Sequence, residues 1–222
     1  YYYLQALPND NPWNTDEQWR SWSNMDEESY ARFIEGLWDI PLANQFFSAF
    51  KRERNVGHGL KLDTRHDIYV SFDFNVDPMT CVIGQSDGRT FVRALKEFRQ
   101  PDSDTYALCE LVKEYIQGYE HIVIITGDAS GNNRMSGTRG HINQYNIIKE
   151  QLDLKWEQFE IPSVNPLIAD SRTFMNSLFS KLPEFLVDSS CEHLINDLMY
   201  LESEIDLNGK ITIKKKGTNK YM

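Results

Sequence analysis

Two apolar runs that each lead to an aspartate constrain the fold of this chain most. Residues 68–76 read IYVSFDFNV and place Asp73 inside the run, while residues 121–131 read HIVIITGDASG and deliver Asp128 into a turn. Ile, Val, Tyr and Phe dominate both runs, which is typical of buried strands of one sheet. An ionised carboxylate at a buried strand end is costly unless a cation or hydrogen-bond donors compensate it.

Two such aspartates on central strands predict a divalent metal site. Hard cations such as Mg²⁺ favour oxygen ligands, and a metal pair can hold both oxygens of an in-line phosphoryl displacement. We therefore expect Asp73 and Asp128 to be the catalytic metal ligands of a nuclease, with carboxylates close together on adjacent strands. The alternative is that both are turn formers, Asp73 in the NVDP turn and Asp128 in an Asx-type turn of GDASG.

Composition bounds the class of protein. The chain has 222 residues, of which 41% are hydrophobic, so it can bury a substantial core. Its apolar runs are too short to predict a membrane span, and its first residues lack the basic start and apolar stretch of a signal peptide. The chain begins without Met, so we expect a fragment of a longer protein. Three cysteines without zinc spacing favour a reducing, intracellular compartment.

The net charge of −10 alone would argue against binding of nucleic acid, but the charges are distributed unevenly along the chain. Residues 1–45 hold eight acidic and two basic residues, whereas residues 51–66 and 205–222 are both net positive. Local patches decide the attraction of phosphates, while net charge governs mainly solubility and steering. The charge distribution therefore permits DNA binding.

Residues 1–45 form a distinct, helical segment in this interpretation. Asn14-Thr15-Asp16 predicts the start of one helix, and Asp26 followed by Glu28 predicts a second. The segment is rich in Trp, so it is expected to pack either on an absent domain or on its own domain. We expect it to be the end of a preceding domain with its linker, and residues 46–222 to be the main domain.

From Phe46 onward, strand and helix patterns alternate in the order βββαβαβα. This order predicts an α/β, RNase H-like mixed sheet, in which an antiparallel three-strand meander is joined by parallel strands and flanked by helices. The predicted strands are Phe46–Phe50, Tyr69–Phe74, Thr80–Gln85, Arg89–Leu95, the run ending at Asp128, and Trp156–Ile161. The predicted helices run from Asp104 to about Gln117, from Ile142 to Leu152 and from Ser171 to Leu182.

Basic residues in two segments are candidate contacts to DNA phosphates. One segment is the Gly-rich loop GNNRMSGTRGHINQY, beside the strand end that carries Asp128, and the other is the C-terminal IKKKG. The alternatives are a solvated loop and a hairpin edge that its lysines protect from aggregation. The candidate DNA-binding residues are Arg134, Arg139, His141, Lys214, Lys215 and Lys216.

Two further acidic residues are weaker candidates for the metal centre. Glu97 follows the third strand and would reach a metal through a water, although an edge-strand glutamate is usually solvated. Asp197 lies four residues after His193 in HLIND, so the two share one face of a predicted helical turn. A zinc site is a poor interpretation of this pair without further ligands.

Several motifs together resemble the C-terminal nuclease domain of tailed-bacteriophage large terminase subunits. They are FDFNVDPMT, GDASGNNR, NQYNIIKEQL, SRTFMNSLF, CEHLINDLMYLE and NGKI, and they extend along nearly the whole chain. DNPW and FIEGLWD resemble the end of the packaging ATPase and its linker. No GxxxxGK[ST] motif occurs, so ATP hydrolysis is not encoded here.

The resemblance implies an RNase H-like fold, Mg²⁺ or Mn²⁺ as a pair of ions, and cutting of concatemeric double-stranded DNA during genome packaging. It also implies the portal protein and the small terminase subunit as partners, and action in the host cell cytoplasm, transiently at the procapsid portal. The family's third acidic ligand usually lies in a His-x-x-Asp-Ala-like motif after the NGKI-type strand. The chain ends about where that motif is expected, so either the third ligand lies beyond Met222 or Asp197 replaces it.

Two other functions stay open at this point. One is a different RNase H-like nuclease of the resolvase or integrase type. The acidic, Trp-rich segment of residues 1–45 argues against this function. The other is a non-catalytic docking module of the packaging motor, in which the aspartates only form turns.

Overall fold

A mixed sheet of six strands organises the part of the chain that the structure describes. The structure is a computed structural model, and it describes residues 7–24, 30, 34–36, 44–75, 77–119, 122–134, 142–205 and 209–214. The strands are β1 (Val56–Gly57), β2 (Ile68–Asp73), β3 (Met79–Ser86), β4 (Phe91–Gln100), β5 (Val123–Gly127) and β6 (Glu184–Asp188). Their order across the sheet is β1-β6-β4-β3-β2-β5.

The pairing of these strands confirms the predicted fold class. β2, β3 and β4 form an antiparallel meander. β5 adds in parallel to β2, β6 adds in parallel to β4, and β1 adds in parallel to β6. Because β5 ends the sheet at one side, only one of the two aspartate-bearing strands is internal.

Helices occur along the described ranges, and those that pack on the sheet cover both of its faces. The helices are α1 (Asp16–Trp22), α2 (Arg52–Asn55), α3 (Thr105–Tyr115), α4 (Gln144–Gln151), α5 (Ile168–Lys181) and α6 (Glu192–Tyr200), with 3₁₀ turns at Pro8–Asp10, Ala129–Asn132 and Trp156–Gln158. The predicted caps are confirmed: Thr15 accepts the Gln18 amide at 3.3 Å, and Asp104 accepts the Ala107 amide at 2.9 Å. The helix predicted at Asp26–Glu28 lies outside the described residues.

The strands divide their side chains between two cores. Ile68, Val70 and Phe72 of β2 pack against α3 and α4, and Cys81 and Ile83 of β3 join them. Val82 lies between those two β3 residues and faces the second core, because successive side chains of a strand point to opposite faces. The second core contains Phe179 of α5, Phe185 and Val187 of β6, and Ile195 and Leu198 of α6.

The structure corrects two predicted strands. Phe46–Phe50 is a turn whose buried Phe46 and Phe50 rings fill space beside α5, so its aromatic residues reflect burial and not extension. Within Trp156–Ile161, a 3₁₀ turn is followed by a single bridge between Phe159 and Ile125 of β5. The last strand of the main sheet is instead β6, which the sequence pattern did not predict.

A small hairpin follows the main sheet. β7 (Ser203–Ile205) and β8 (Ile211–Ile213) pair in antiparallel fashion, and Lys214 follows β8 directly. The three cysteines are free thiols in the interior. Throughout the described ranges, every helix is too short or too polar to span a lipid bilayer.

Candidate metal centre

The sheet brings Asp73 and Asp128 to the same edge. Asp73 is the last residue of β2, and Asp128 follows the last residue of the neighbouring parallel strand β5. Phe72 is opposite Gly127 in the register, and the Asp128 amide donates to the Phe72 carbonyl at 3.1 Å. The prediction that the two aspartates lie on adjacent strands is thus confirmed.

Two glycines allow the strands to approach this closely. Gly127 has a φ of 147°, and a Cβ there would lie 2.2 Å from the Phe72 carbonyl oxygen. A Cβ on Gly131 would lie 2.2 Å from the Phe74 ring and 2.6 Å from the Tyr145 ring. Tyr145 also donates its hydroxyl proton to the Asp128 carbonyl at 2.8 Å. The two glycines of GDASG are therefore needed for the packing around Asp128.

The Asp128 carboxylate is held by donors from Ser130 and Asn165. Its Oδ1 accepts the Ser130 amide at 2.6 Å, which forms the Asx-type turn of the alternative interpretation, and the Asn165 side-chain amide at 2.9 Å. The bond from Asn165 is the main reason why the pKa of Asp128 lies below the usual value, followed by the Ser130 amide, although burial opposes them. Asp128 is therefore anionic at neutral pH.

Asp73 has a different environment. Its Oδ2 accepts the Asn75 side-chain amide at 2.8 Å, so a side chain of the turn after β2 holds it. Loss of hydration raises the pKa of Asp73 most, the charge of Asp128 raises it further, and the bond from Asn75 lowers it. The two carboxylates thus have pKa values shifted in opposite directions.

The donor set fits a hard divalent cation. Neither Asp73 nor Asp128 forms an ion pair with a Lys or Arg of the described ranges. A cation bound between them would relieve the repulsion that raises the pKa of Asp73, and carboxylate oxygens are the ligands that Mg²⁺ prefers.

Asn165 is a contact that the sequence reasoning missed. It lies in the segment before α5 and is followed by Pro166, a pair that indicates only a turn. Its contact with Asp128 joins residues 37 positions apart, and neither residue periodicity nor motif spacing predicts such a contact.

Glu97 and Asp197 are not brought to this centre. Both oxygens of Glu97 bind the start of α6, accepting the His193 amide at 2.8 Å and the Leu194 amide at 2.7 Å. Asp197 is an exposed residue of the same helix. Within the described ranges, no three His, Cys, Asp or Glu side chains come together as a metal site, so neither residue completes a set with Asp73 and Asp128.

A capping role for Glu97 predicts a loss of stability on its removal. We expect Glu97→Ala to lower the free energy of unfolding by about 1–3 kcal/mol, because two helix amides lose a charged acceptor. Mn²⁺ affinity should stay unchanged. Glu192→Ala is the matched control, since Glu192 is an exposed acidic residue in the first turn of the same helix. Urea denaturation measures the free energy of unfolding, and Mn²⁺ titration measures the affinity. If Glu97→Ala kept its stability but bound Mn²⁺ more weakly, Glu97 would be a metal ligand instead.

Only some of the candidate DNA contacts lie in the described ranges. Arg134 is exposed just beyond the 3₁₀ turn that begins after Asp128. Lys214 forms an ion pair with Glu202 at 2.5 Å, which favours the interpretation of this hairpin as a protected edge. Arg139, His141, Lys215 and Lys216 lie outside the described residues.

Solved structures of large terminases match this fold. A large terminase from a thermophilic bacteriophage matches with a TM-score of 0.59 and 16% identity, over 96% of this chain and 51% of its own. The nuclease domain of the P22 large terminase matches with a TM-score of 0.56 and 11% identity, over 77% of this chain and 84% of its own. The large terminase nuclease from thermophilic phage G20c, solved with bound magnesium, matches with a TM-score of 0.52 and 14% identity, over 80% of this chain and 91% of its own.

These matches concern the fold. The chain spans about half the length of the first of these terminases, 51%, and most of the length of the two nuclease domains. No family model matches the sequence, and no curated protein matches it. The chain has the RNase H-like fold of large terminase nuclease domains, as the sequence motifs predicted.

Proposed function

We propose that the chain is the metal-dependent endonuclease domain of a viral DNA-packaging terminase, which cuts concatemeric double-stranded DNA. One observation carries the proposal: two aspartates without an ion pair in the described ranges lie at the ends of adjacent parallel strands, where the charge of Asp128 raises the pKa of Asp73. The fold shared with the P22 and G20c nucleases supports it, and the G20c nuclease was solved with bound magnesium.

In this proposal, Asp73 and Asp128 hold Mg²⁺ or Mn²⁺, as a pair of ions. Bound to these carboxylates, the ions would supply activation of the attacking water and stabilisation of the leaving 3′ oxygen of the phosphodiester. The protein supplies a fixed arrangement of oxygens, because β2 and β5 are hydrogen-bonded to each other and each carboxylate is held by a side-chain amide. Asp128 stays ionised through its donors, whereas metal binding at Asp73 competes with a proton over a wider pH range.

The partners of the whole terminase belong to the proposal as well. Double-stranded DNA is the substrate, and the portal protein and the small terminase subunit are the proposed partners. The proposed place of action is the host cytoplasm, with transient docking at the procapsid portal. Residues 1–45 would then be the end of the ATPase domain with its linker, preceding the nuclease domain of residues 46–222.

Plasmid nicking tests the proposed activity. Supercoiled DNA should be nicked and linearised in the presence of Mn²⁺ or Mg²⁺, and EDTA should stop the reaction. Asp128→Asn should remove the activity, while the matched change Asp153→Asn, in a solvent-accessible turn, should keep it. A folded protein that cuts no DNA with either ion would favour the non-catalytic docking module. The described residues of the site hold no third acidic side chain, which is consistent with that alternative.

The salt dependence of DNA binding tests whether Arg134, near Asp128, contacts a DNA phosphate. We expect Arg134→Ala to weaken duplex binding similarly for all sequences and to lower the salt slope by about 0.9, the value of one phosphate contact. Lys214→Ala is the control, because its ammonium group already pairs with Glu202. Titration of labelled duplex at several salt concentrations gives the salt slopes of both variants. A slope reduced only in Lys214→Ala would place the phosphate contact at the β7–β8 hairpin and not at Arg134.

A further inference from the structure

We infer that Asn165 is a positioning residue of the metal centre, which fixes the orientation in which the Asp128 carboxylate is presented to a metal. The inference rests on the proposed function, since it assumes a metal at Asp73 and Asp128. Asn165 donates from Nδ2 to Asp128 Oδ1 at 2.9 Å, and its own Oδ1 accepts the Ala129 amide at 2.8 Å.

These two bonds determine the orientation of the Asn165 amide. With the amide reversed, its NH₂ group would face the Ala129 N–H, and its oxygen would face the Asp128 carboxylate. Both reversed contacts are repulsive, so the side chain has one favourable orientation. Asn165 therefore connects the carboxylate of residue 128 to the backbone of residue 129 and fixes the carboxylate relative to the strand end.

Ser130 donates to the same carboxylate as Asn165. The bonds from Asn165 and from the Ser130 amide both end on Oδ1. The Ser130 side chain is a further donor to the same carboxylate. Asn165 and Ser130 together therefore restrict the orientation of the Asp128 carboxylate.

The segment that carries Asn165 is held by its surroundings. Pro166 restricts the backbone of Asn165 to extended conformations, and α5 begins two residues later at Ile168. Asn176 of α5 donates to the Phe46 carbonyl at 2.9 Å and accepts the Ala49 amide at 2.8 Å. Asn176 thus links α5 to the turn at residues 46–49, and α5 directly follows the segment that carries Asn165.

Binding of Mn²⁺ in the absence of DNA tests the inference without relying on activity. Free Mn²⁺ is counted by electron paramagnetic resonance in titrations of the full chain. We expect Asn165→Ala to raise the Mn²⁺ dissociation constant about 10–100-fold, the usual effect of removing a group that orients a metal ligand. Asn196→Ala is the matched control on the exposed side of α6, and it should bind as the unchanged protein does.

Asp128→Asn in the same titration separates the two claims. If Asp128→Asn binds Mn²⁺ as tightly as the unchanged protein, the proposed metal centre is wrong. If Asp128→Asn loses binding while Asn165→Ala keeps it, the metal centre stands and the role of Asn165 is overturned. A lower melting temperature of Asn165→Ala with unchanged Mn²⁺ affinity also overturns it, because Asn165 would then be merely structural.

Discussion

Asp73→Asn is expected to abolish metal-dependent nicking of plasmid DNA, with a loss of at least about 10³-fold. The substitution replaces a charged ligand with a neutral one, and a metal at this position supplies several kcal/mol of transition-state stabilisation. About 4 kcal/mol corresponds to 10³ in rate. The rate of conversion from supercoiled to nicked plasmid measures the effect.

The fold should survive this substitution. Because the folded state raises the pKa of Asp73, it holds the proton more tightly than the unfolded chain does. The carboxyl group therefore contributes stability below the unfolded value of 3.8, and this contribution is lost as the pH rises through the folded pKa. At neutral pH the Asn side chain removes the repulsion from Asp128, so the melting temperature should stay equal or rise slightly. Activity that persists in Asp73→Asn would move the catalytic centre elsewhere.

Gly127→Ala is expected to cause the largest loss of stability, about 2–6 kcal/mol. A Cβ at this position would lie 2.2 Å from the Phe72 carbonyl oxygen and 3.0 Å from the Tyr145 hydroxyl oxygen. The backbone atoms of β2 must move to relieve such a contact, which adds overpacking to the strain of a φ of 147°. Chemical denaturation measures the free energy of unfolding.

Gly88→Ala is the control for this prediction. Gly88 has a φ of 71° but no atom within 4 Å of a Cβ, so its substitution causes backbone strain without a clash. A loss of about 1–2 kcal/mol is expected there. Mn²⁺ affinity should fall only in Gly127→Ala, because only that change displaces Asp128. Equal losses of stability in the two variants would show that the approach of β5 to β2 is not tight.

The parts of the fold that the sequence predicted have strong local patterns. The run IYVSFD alternates buried and exposed side chains, and turn residues separate the three strands of the meander. β6 is only five residues long and follows Pro183, so its pattern does not stand out from a loop. Trp156–Ile161 has the composition of a strand, but its partner is the edge of β5 and pairing stops after one bridge.

The candidate site was predictable to the extent that its residues lie at strand ends. Asp73 and Asp128 end apolar runs, and parallel pairing then brings their side chains together. Asn165 and Glu97 bind across long sequence separations, and their partners depend on how α5 and α6 pack on the sheet. Such contacts follow from tertiary structure and leave no periodic pattern in the sequence.

Anomalous diffraction from crystals of the protein soaked in Mn²⁺ at neutral pH tests the central claim most directly. The account predicts an anomalous peak between the two carboxylates, with one oxygen of Asp73 and one oxygen of Asp128 about 2.0–2.6 Å from the ion. The peak should vanish in Asp128→Asn crystals grown and soaked in the same way. Fully ordered Asp73 and Asp128 side chains without a peak between them would contradict the metal centre and, with it, the nuclease function.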